Sequence, residues 1–267
     1  MTAIPLYHID AFTHRLFRGN PAAVCPLATP LPPSLCQAIA QENQLSETAF
    51  FWPDGTGGYH IRWFTPTQEV DLCGHATLAA AYVVGRFVAP GCTEVRFRSR
   101  QECLTVRKQG ELWELDLPRW PLNPAAPPPD LIAGLGCSPQ EVWRTPRDLL
   151  AVLHDPQQVH TLQPDYTRLA RLDSFGVIVT APGQSVDFVS RFFAPRAGIP
   201  EDPVTGSAHC ALVPYWSQRL GKTELHAQQL SPRGGELWGT LTADRVLLRG
   251  HAVCYLTGQI HLQEAPP

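Results

Sequence analysis

A few residues in this sequence pair a reactive side chain with an unusual setting. Glu47 stands in Gln44-Leu45-Ser46-Glu47-Thr48-Ala49-Phe50-Phe51, where an apolar strand begins. Flanked by Leu45, Ala49 and Phe50, its carboxylate is expected to be partly desolvated, a setting that suits a group taking a proton from carbon and returning it. A cap or a purely structural acid is the alternative. His75 follows Gly74 at one expected helix start, and Ser207 follows Gly206 at another. Backbone N–H groups and the positive end of such a helix bind a carboxylate without a cationic side chain. His75 could also donate to a substrate or do acid/base work. Asp71 and Asp202 precede the two helices and could hold the loops or contact an ammonium group. Each feature also has a plain reading: a tight turn at either glycine, a cap at His75 or Ser207, and a turn at Asp202-Pro203.

Other chemistries lack their spacing. Cys73-Gly74-His75 and His209-Cys210 are isolated pairs without the repeated spacing of a zinc site, so no metal is expected. There is no glycine-rich nucleotide fingerprint after a strand and no G-x-S-x-G elbow.

The elements that must position these residues come in two similar sets. The first half runs Phe50-Phe51-Trp52-Pro53, a turn, Tyr59-His60-Ile61-Arg62-Trp63-Phe64-Thr65-Pro66, then Asp71-Leu72-Cys73-Gly74-His75 and a helix rich in alanine to Arg86. The second runs Gly176-Val177-Ile178-Val179-Thr180, a turn, Val189-Ser190-Arg191-Phe192-Phe193-Ala194-Pro195, then Asp202-Pro203-Val204-Thr205-Gly206 and a helix to Leu220. Arg62 maps onto Arg191 and Gly74 onto Gly206, which marks an internal repeat. Pro214 is expected to kink or shorten the second helix. The proline-rich run Pro118–Pro129 reads as an extended linker. A helix is expected at Ser34–Gln41 and a short one at Pro139–Val142. Strands are expected at Leu6–Phe12, Thr93–Arg98, Cys103–Lys108, Leu112–Leu117, Gln228–Leu230, Glu236–Thr242, Arg245–Val253 and Gly258–Leu262. The pattern predicts an α+β protein with domains at 1–118 and 124–257, and a C-terminal strand, 258–267, that returns to the first.

Composition bounds the function. With 267 residues, 44% of them hydrophobic, the chain can bury a large core, and 21 basic against 24 acidic residues leave no broad basic field for nucleic acid or anionic membrane. Eight scattered cysteines fit free thiols in a reducing compartment. No leader-like segment or membrane span is evident, and a cytoplasmic protein is expected.

These strings together resemble the PhzF-like family of phenazine-biosynthesis isomerases, whose fold is that of diaminopimelate epimerase. The resemblance covers nearly the whole chain. It rests on Asp10-Ala11-Phe12-Thr13 with Gly19-Asn20-Pro21-Ala22, on Ser46-Glu47-Thr48-Ala49-Phe50, and on the two strings that open the helices at Gly74 and Gly206. It implies two pseudo-symmetric domains, each a curved, mostly antiparallel sheet wrapped around a central helix, with the active site between them, in a homodimer. It further implies a cofactor-independent isomerase that shuttles a proton between carbons of a small unsaturated or amino carboxylic acid. Glu47, His75 and Asp202 would be catalytic, and Asn20, Ser46, Gly74, Gly206 and Ser207 would bind substrate. A member that binds without turnover, or an epimerase that uses Cys73, are the alternatives. A cysteine pair is disfavoured because the second helix start has no thiol before Cys210.

Overall fold

The computed structural model describes residues 2–262. The chain divides into two compact units, one formed by residues up to Asp116 together with those from Arg249 onward, the other by Leu117–Leu248. The return to the first unit therefore begins at Arg249, earlier than the expected Gly258. Residues 263–267 of that expected strand lie outside the described residues.

In the first unit β1 (Thr2–Ala11), β2 (Asn20–Pro26), α1 (Pro33–Asn43), β3 (Glu47–Pro53), β4 (Tyr59–Phe64), β5 (Glu69–Val70), α2 (Gly74–Val83), β6 (Glu94–Arg98), β7 (Cys103–Gln109) and β8 (Leu112–Pro118) follow in order. β1 is antiparallel to β2, β2 parallel to β3, β3 antiparallel to β4 and β4 parallel to β6. β6, β7 and β8 continue antiparallel, and the C-terminal strand Ala252–Leu262 runs antiparallel along β1. The sheet is mixed, with antiparallel pairs in the majority. The helix α2 is apolar nearly all round, and His75–Ala81 and Val83 are buried, as a helix enclosed by its own domain requires. It packs on β1, β2, β3 and β7. A five-residue π-helical turn, Val84–Val88, extends it.

The second unit contains β9 (Asn123–Pro124), α3 (Pro129–Leu135), β10 (Glu141–Arg144), β11 (Leu149–Val152), α4 (Pro156–Thr161), α5 (Tyr166–Leu169), β12 (Val177–Pro182), β13 (Phe188–Ala194), β14 (Ile199–Asp202), α6 (His209–Leu220), β15 (Glu224–Gln229), β16 (Gly235–Leu241) and all but the last two residues of β17 (Arg245–Gly250). β10 is antiparallel to β11, β11 parallel to β12, β12 antiparallel to β13, β13 parallel to β15, and β15 antiparallel to β16. This is the alternation of β1, β2, β3, β4, β6 and β7, strand for strand. Thr48 pairs with Phe64 as Val177 pairs with Phe193, so the internal repeat extends to residue register. Leu131, Leu149, Val159, Leu169, Val179 and Phe193 form the core of this unit.

Three expectations are corrected. Pro139–Val142 is not a helix: Glu141–Arg144 form a strand against Leu149–Val152, because sheet pairing outweighs the local Ser-Pro helix-start signal over so short a segment. The Pro118–Pro129 run is not wholly a linker, since Asn123 and Pro124 pair with Arg144 and Trp143 as a short edge strand and Pro129 opens α3. Pro214 does not shorten α6, which runs unbroken over twelve residues. The Cys210 carbonyl, to which Pro214 cannot donate, accepts the Trp120 N–H at 2.9 Å.

Candidate active site

Three elements of the first unit bring one cluster together. Glu47 opens β3, Asn20 opens the adjacent parallel strand β2, and Cys73-Gly74-His75 form the start of α2. Gln44, in the left-handed conformation at φ 51°, ends α1 and turns the chain toward Glu47. Cys73 makes no side-chain cap, so the first N–H groups of α2 have no cap from that side chain.

The imidazole of His75 is the hub. Its Nε2 lies 3.1 Å from Glu47 Oε2, and its Nδ1 lies 3.2 Å from Asn20 Nδ2 and 3.5 Å from Cys73 Sγ. Asn20, Cys73 and His75 are buried, and Glu47 is nearly so. Although Nε2 and Oε2 are within ion-pair distance, they are not aligned for a hydrogen bond, and both atoms are buried without one. Burial disfavours the imidazolium, yet the Cys73 sulfur and Glu47 carboxylate outweigh it and hold the His75 pKa well above its usual value. Burial first, and then the Glu47 carboxylate, push the Cys73 thiol up to about 11, so it stays protonated at neutral pH and the pull on His75 comes from Glu47. The Asn20 amide serves either state of the ring: its N–H meets a bare Nδ1, and turned over its oxygen meets Nδ1–H.

The matching position of the second unit carries no acid. Gly176 precedes β12, and a Cβ there would meet Phe192 Cζ at 2.4 Å. Asp173, the nearest acid in sequence, has a fully exposed side chain.

The second unit holds the remaining expected residues in its own cluster. Asp202 ends β14, and its Oδ2 accepts the Thr205 hydroxyl at 2.5 Å. Gln229, at the end of β15, closes the loop: its Oε1 accepts Thr205 N–H at 2.8 Å and its Nε2 donates to Asp202 O at 2.8 Å. Asp202 thus latches the loop that leads to Gly206. A one-turn 3-10 helix, Gly206–Ala208, precedes α6, and Ser207 Oγ accepts from Arg147 Nη2 at 2.9 Å. Arg147 also pairs with buried Asp148 and lies over the Phe175 ring at 4.5 Å. His209 donates Nδ1–H to Thr205 O at 2.9 Å, and burial lowers its pKa to about 4.

The structure therefore gathers Asn20, Glu47, Gly74 and His75 in one cluster, and Asp202, Gly206 and Ser207 in another. Ser46 lies beside Glu47 in the chain and is half-buried, while Asp71, the first-half counterpart of Asp202, is exposed. Sequence reading missed Arg147 and Gln229. Arg147-Asp148 before four apolar residues gave a usable signal for a buried ion pair, whereas nothing local to Gln229 distinguishes it from other polar strand residues.

The sequence matches the phenazine biosynthesis-like protein family, PhzC-PhzF, over residues 9–258. It is 47% identical to an uncharacterized isomerase of Pseudomonas aeruginosa over 97% of this chain and 99% of that one. A crystal structure of a phenazine biosynthesis protein of the PhzF family from Enterococcus faecalis superposes with a TM-score of 0.95 at 45% identity, covering 98% of this chain and 100% of the other. A hydroxyproline epimerase from Agrobacterium vitis shares the fold alone, with a TM-score of 0.66 at 10% identity over 98% of this chain and 93% of its own. With the helix starts, the Glu47 strand and the repeated topology in place, the chain belongs to the PhzC-PhzF family of phenazine biosynthesis-like proteins.

Proposed function

We propose that the protein is an isomerase that moves a proton between carbons of a small unsaturated or amino carboxylic acid, without metal or pyridoxal phosphate. The observation that carries this reading is the buried Glu47–His75 pair, whose facing oxygen and nitrogen lie 3.1 Å apart with neither atom hydrogen-bonded. Glu47 takes the proton from carbon and returns it to the new position. His75, kept cationic beside that carboxylate, donates to the substrate carboxylate or to the oxygen on which negative charge grows. The N-terminus of α2 adds backbone N–H groups and a positive field for the same charge. A thiol pushed up to about 11 is a poor base at neutral pH, so Glu47 is favoured over Cys73 for proton abstraction. Asn20 and Ser46 are assigned to substrate binding with Gly74. Asp202, Gly206 and Ser207 enter through the family motif they carry, as does assembly as a homodimer. Relatives named as isomerases support the reaction class.

The test is deuterium incorporation in D2O, followed by NMR, across a panel of unsaturated carboxylic and amino acids. Wild-type protein is expected to exchange a C–H next to a carboxylate or amine, and Glu47→Gln to lose at least about 100-fold of that rate. A folded Glu47→Gln variant that exchanges at the wild-type rate overturns the mechanism.

A further inference from the structure

Glu47, Cys73 and His75 present a carboxylate oxygen, a sulfur and an imidazole nitrogen all within 4.8 Å of one another. A tetrahedral cation bound at about 2.0–2.3 Å spaces its ligands roughly 3.3–3.7 Å apart, so the 3.1 Å edge between Glu47 and His75 is already near the required length. Cys73 Sγ lies 3.5 Å from the other ring nitrogen, Nδ1, and completes the set by rotating about χ1 toward Nε2. A second observation points the same way. Glu47 Oε2 and His75 Nε2 are buried and face each other at 3.1 Å without an aligned hydrogen bond, a contact that a bound cation would replace. His75 itself is 5% exposed.

We propose that these three side chains form a binding site for a thiophilic divalent cation of the Zn2+ or Co2+ class, with the fourth position open to water or to a carboxylate. The donor set selects the class, since thiolate and imidazole favour borderline and soft ions over Mg2+ or Ca2+. Charge also balances: on binding, the Cys73 thiol and the His75 imidazolium, from Nε2, each release a proton to solvent, and thiolate and carboxylate together neutralise the doubly charged ion in a buried place. Neutral His75 supplies the Nε2 lone pair, and the Asn20 amide oxygen can take Nδ1–H as the outer-sphere partner that fixes the ring. Glu47 sits at the start of β3 and His75 in the first turn of α2, with Cys73 the extended residue immediately before that helix. Sequence spacing hid the site because Cys73 and His75 are two apart and the third ligand comes from another strand.

One consequence rests on the isomerase reading. An ion at this place occupies the lone pairs that proton transfer requires, so metal occupancy and turnover exclude each other, and thiophilic cations act as inhibitors.

The experiment is a titration of the full chain, reduced and freed of metal with chelator, with Co2+ followed by absorbance. The expected result is one ion per chain with a thiolate-to-cobalt charge-transfer band and tetrahedral ligand-field bands, all displaced by Zn2+. Cys73→Ser is expected to lose the charge-transfer band, and Glu47→Gln to keep it while binding at least about ten-fold more weakly. Cys103→Ser, which alters an exposed thiol, is the control and leaves the spectrum unchanged. No band in the wild type, or an unchanged band in Cys73→Ser, overturns the site. Should Cys73→Ser fail the circular-dichroism check for folding, the Glu47→Gln affinity decides: wild-type affinity there overturns the site as well. None of these readouts needs a substrate, so a failed isomerase assay leaves the metal result standing and the reverse also holds.

Discussion

His209 illustrates how this fold treats a titratable group that it keeps for packing. The ring is wholly buried at the start of α6, donates Nδ1–H to the Thr205 carbonyl, and holds Nε2 without a hydrogen bond. Burial lowers its pKa from 6.5 to about 4, so the native protein keeps it neutral while the unfolded chain protonates it from 6.5 downward. The unfolded state therefore binds more protons between those values. Stability contributed by His209 is complete above pH 6.5 and declines as pH falls toward 4, by about 3 kcal/mol in all. Urea unfolding of wild type and His209→Asn at pH 7 and pH 4.5 checks this. The wild type is expected to lose more stability on acidification than the variant, whose amide can still donate to Thr205 O without taking a proton. An equal loss in both removes His209 from the acid response. His75, a histidine at the start of the other central helix, titrates in the opposite direction because a carboxylate faces it.

At the scale of elements, the repeat is held by one device used twice. Arg62 on β4 grips Glu69 on β5 through two 2.7 Å bonds and lies over the Phe64 ring at 5.0 Å. Arg191 on β13 grips Glu201 on β14 at 2.7 and 2.9 Å and lies over the Phe193 ring at 4.9 Å. Both pairs pin the short strand that delivers the chain to a helix start. Their burdens differ. Arg191 also donates to Val159 O and Leu162 O, and the pair is 8% and 11% exposed, whereas Glu69 has a second cation, Arg100, at 3.1 Å. Arg191→Met is therefore expected to cost about 3–5 kcal/mol, since it strands a buried carboxylate, and Arg62→Met about 1–2 kcal/mol. Denaturant unfolding of the two variants decides, and equal losses would show that the additional acceptors contribute nothing.

These strings are legible in the sequence alone: Arg62 and Arg191 mark the repeat because each lies in an Arg-aromatic-Phe sequence before a proline. The short helices are not. Asp155 accepts the Gln157 N–H as a helix cap and Pro156 opens α4, a start to which the sequence analysis assigns no helix. The same dipeptide at Asp202-Pro203 bends the chain after β14, where the Thr205 hydroxyl three residues on donates to the aspartate and Gln229 donates to its carbonyl from β15. The Glu47–His75 contact is likewise out of reach of sequence, since it joins a strand start to a helix start through tertiary packing alone.

Across the whole molecule, the chain returns at its end to where it began. The C-terminal strand pairs with β1 from Leu262 opposite Thr2 to Ala252 opposite Ala11, with one irregularity at His8 and Ile9. Sequence reading placed its start at Gly258, but Gly258 pairs with Leu6 within the regular Thr2–His8 stretch of that ladder, and a glycine inside a strand weakens pairing without ending it. The strand does more than cover an edge. Ile260 and Leu262 pack on the core cluster of Ile4, Cys25, Cys36, Ile39, Phe50 and Phe64 under α1, and His251 O accepts the Phe12 N–H at 2.7 Å, holding Phe12 in its left-handed conformation. Loss of this strand would bare the outer hydrogen-bonding groups of β1 and part of an apolar core, both of which promote association. A chain ending at Gly250 is therefore expected to lose the cooperative fold of the first unit and with it the Asn20–Glu47–His75 cluster, since β1 pairs directly with the strand that Asn20 opens. Resonances from Val177–Ala194 in an amide correlation spectrum report on the second unit at the same time. Uniform native shifts for residues 20–75 in the truncated chain would show that the first unit closes without its last strand.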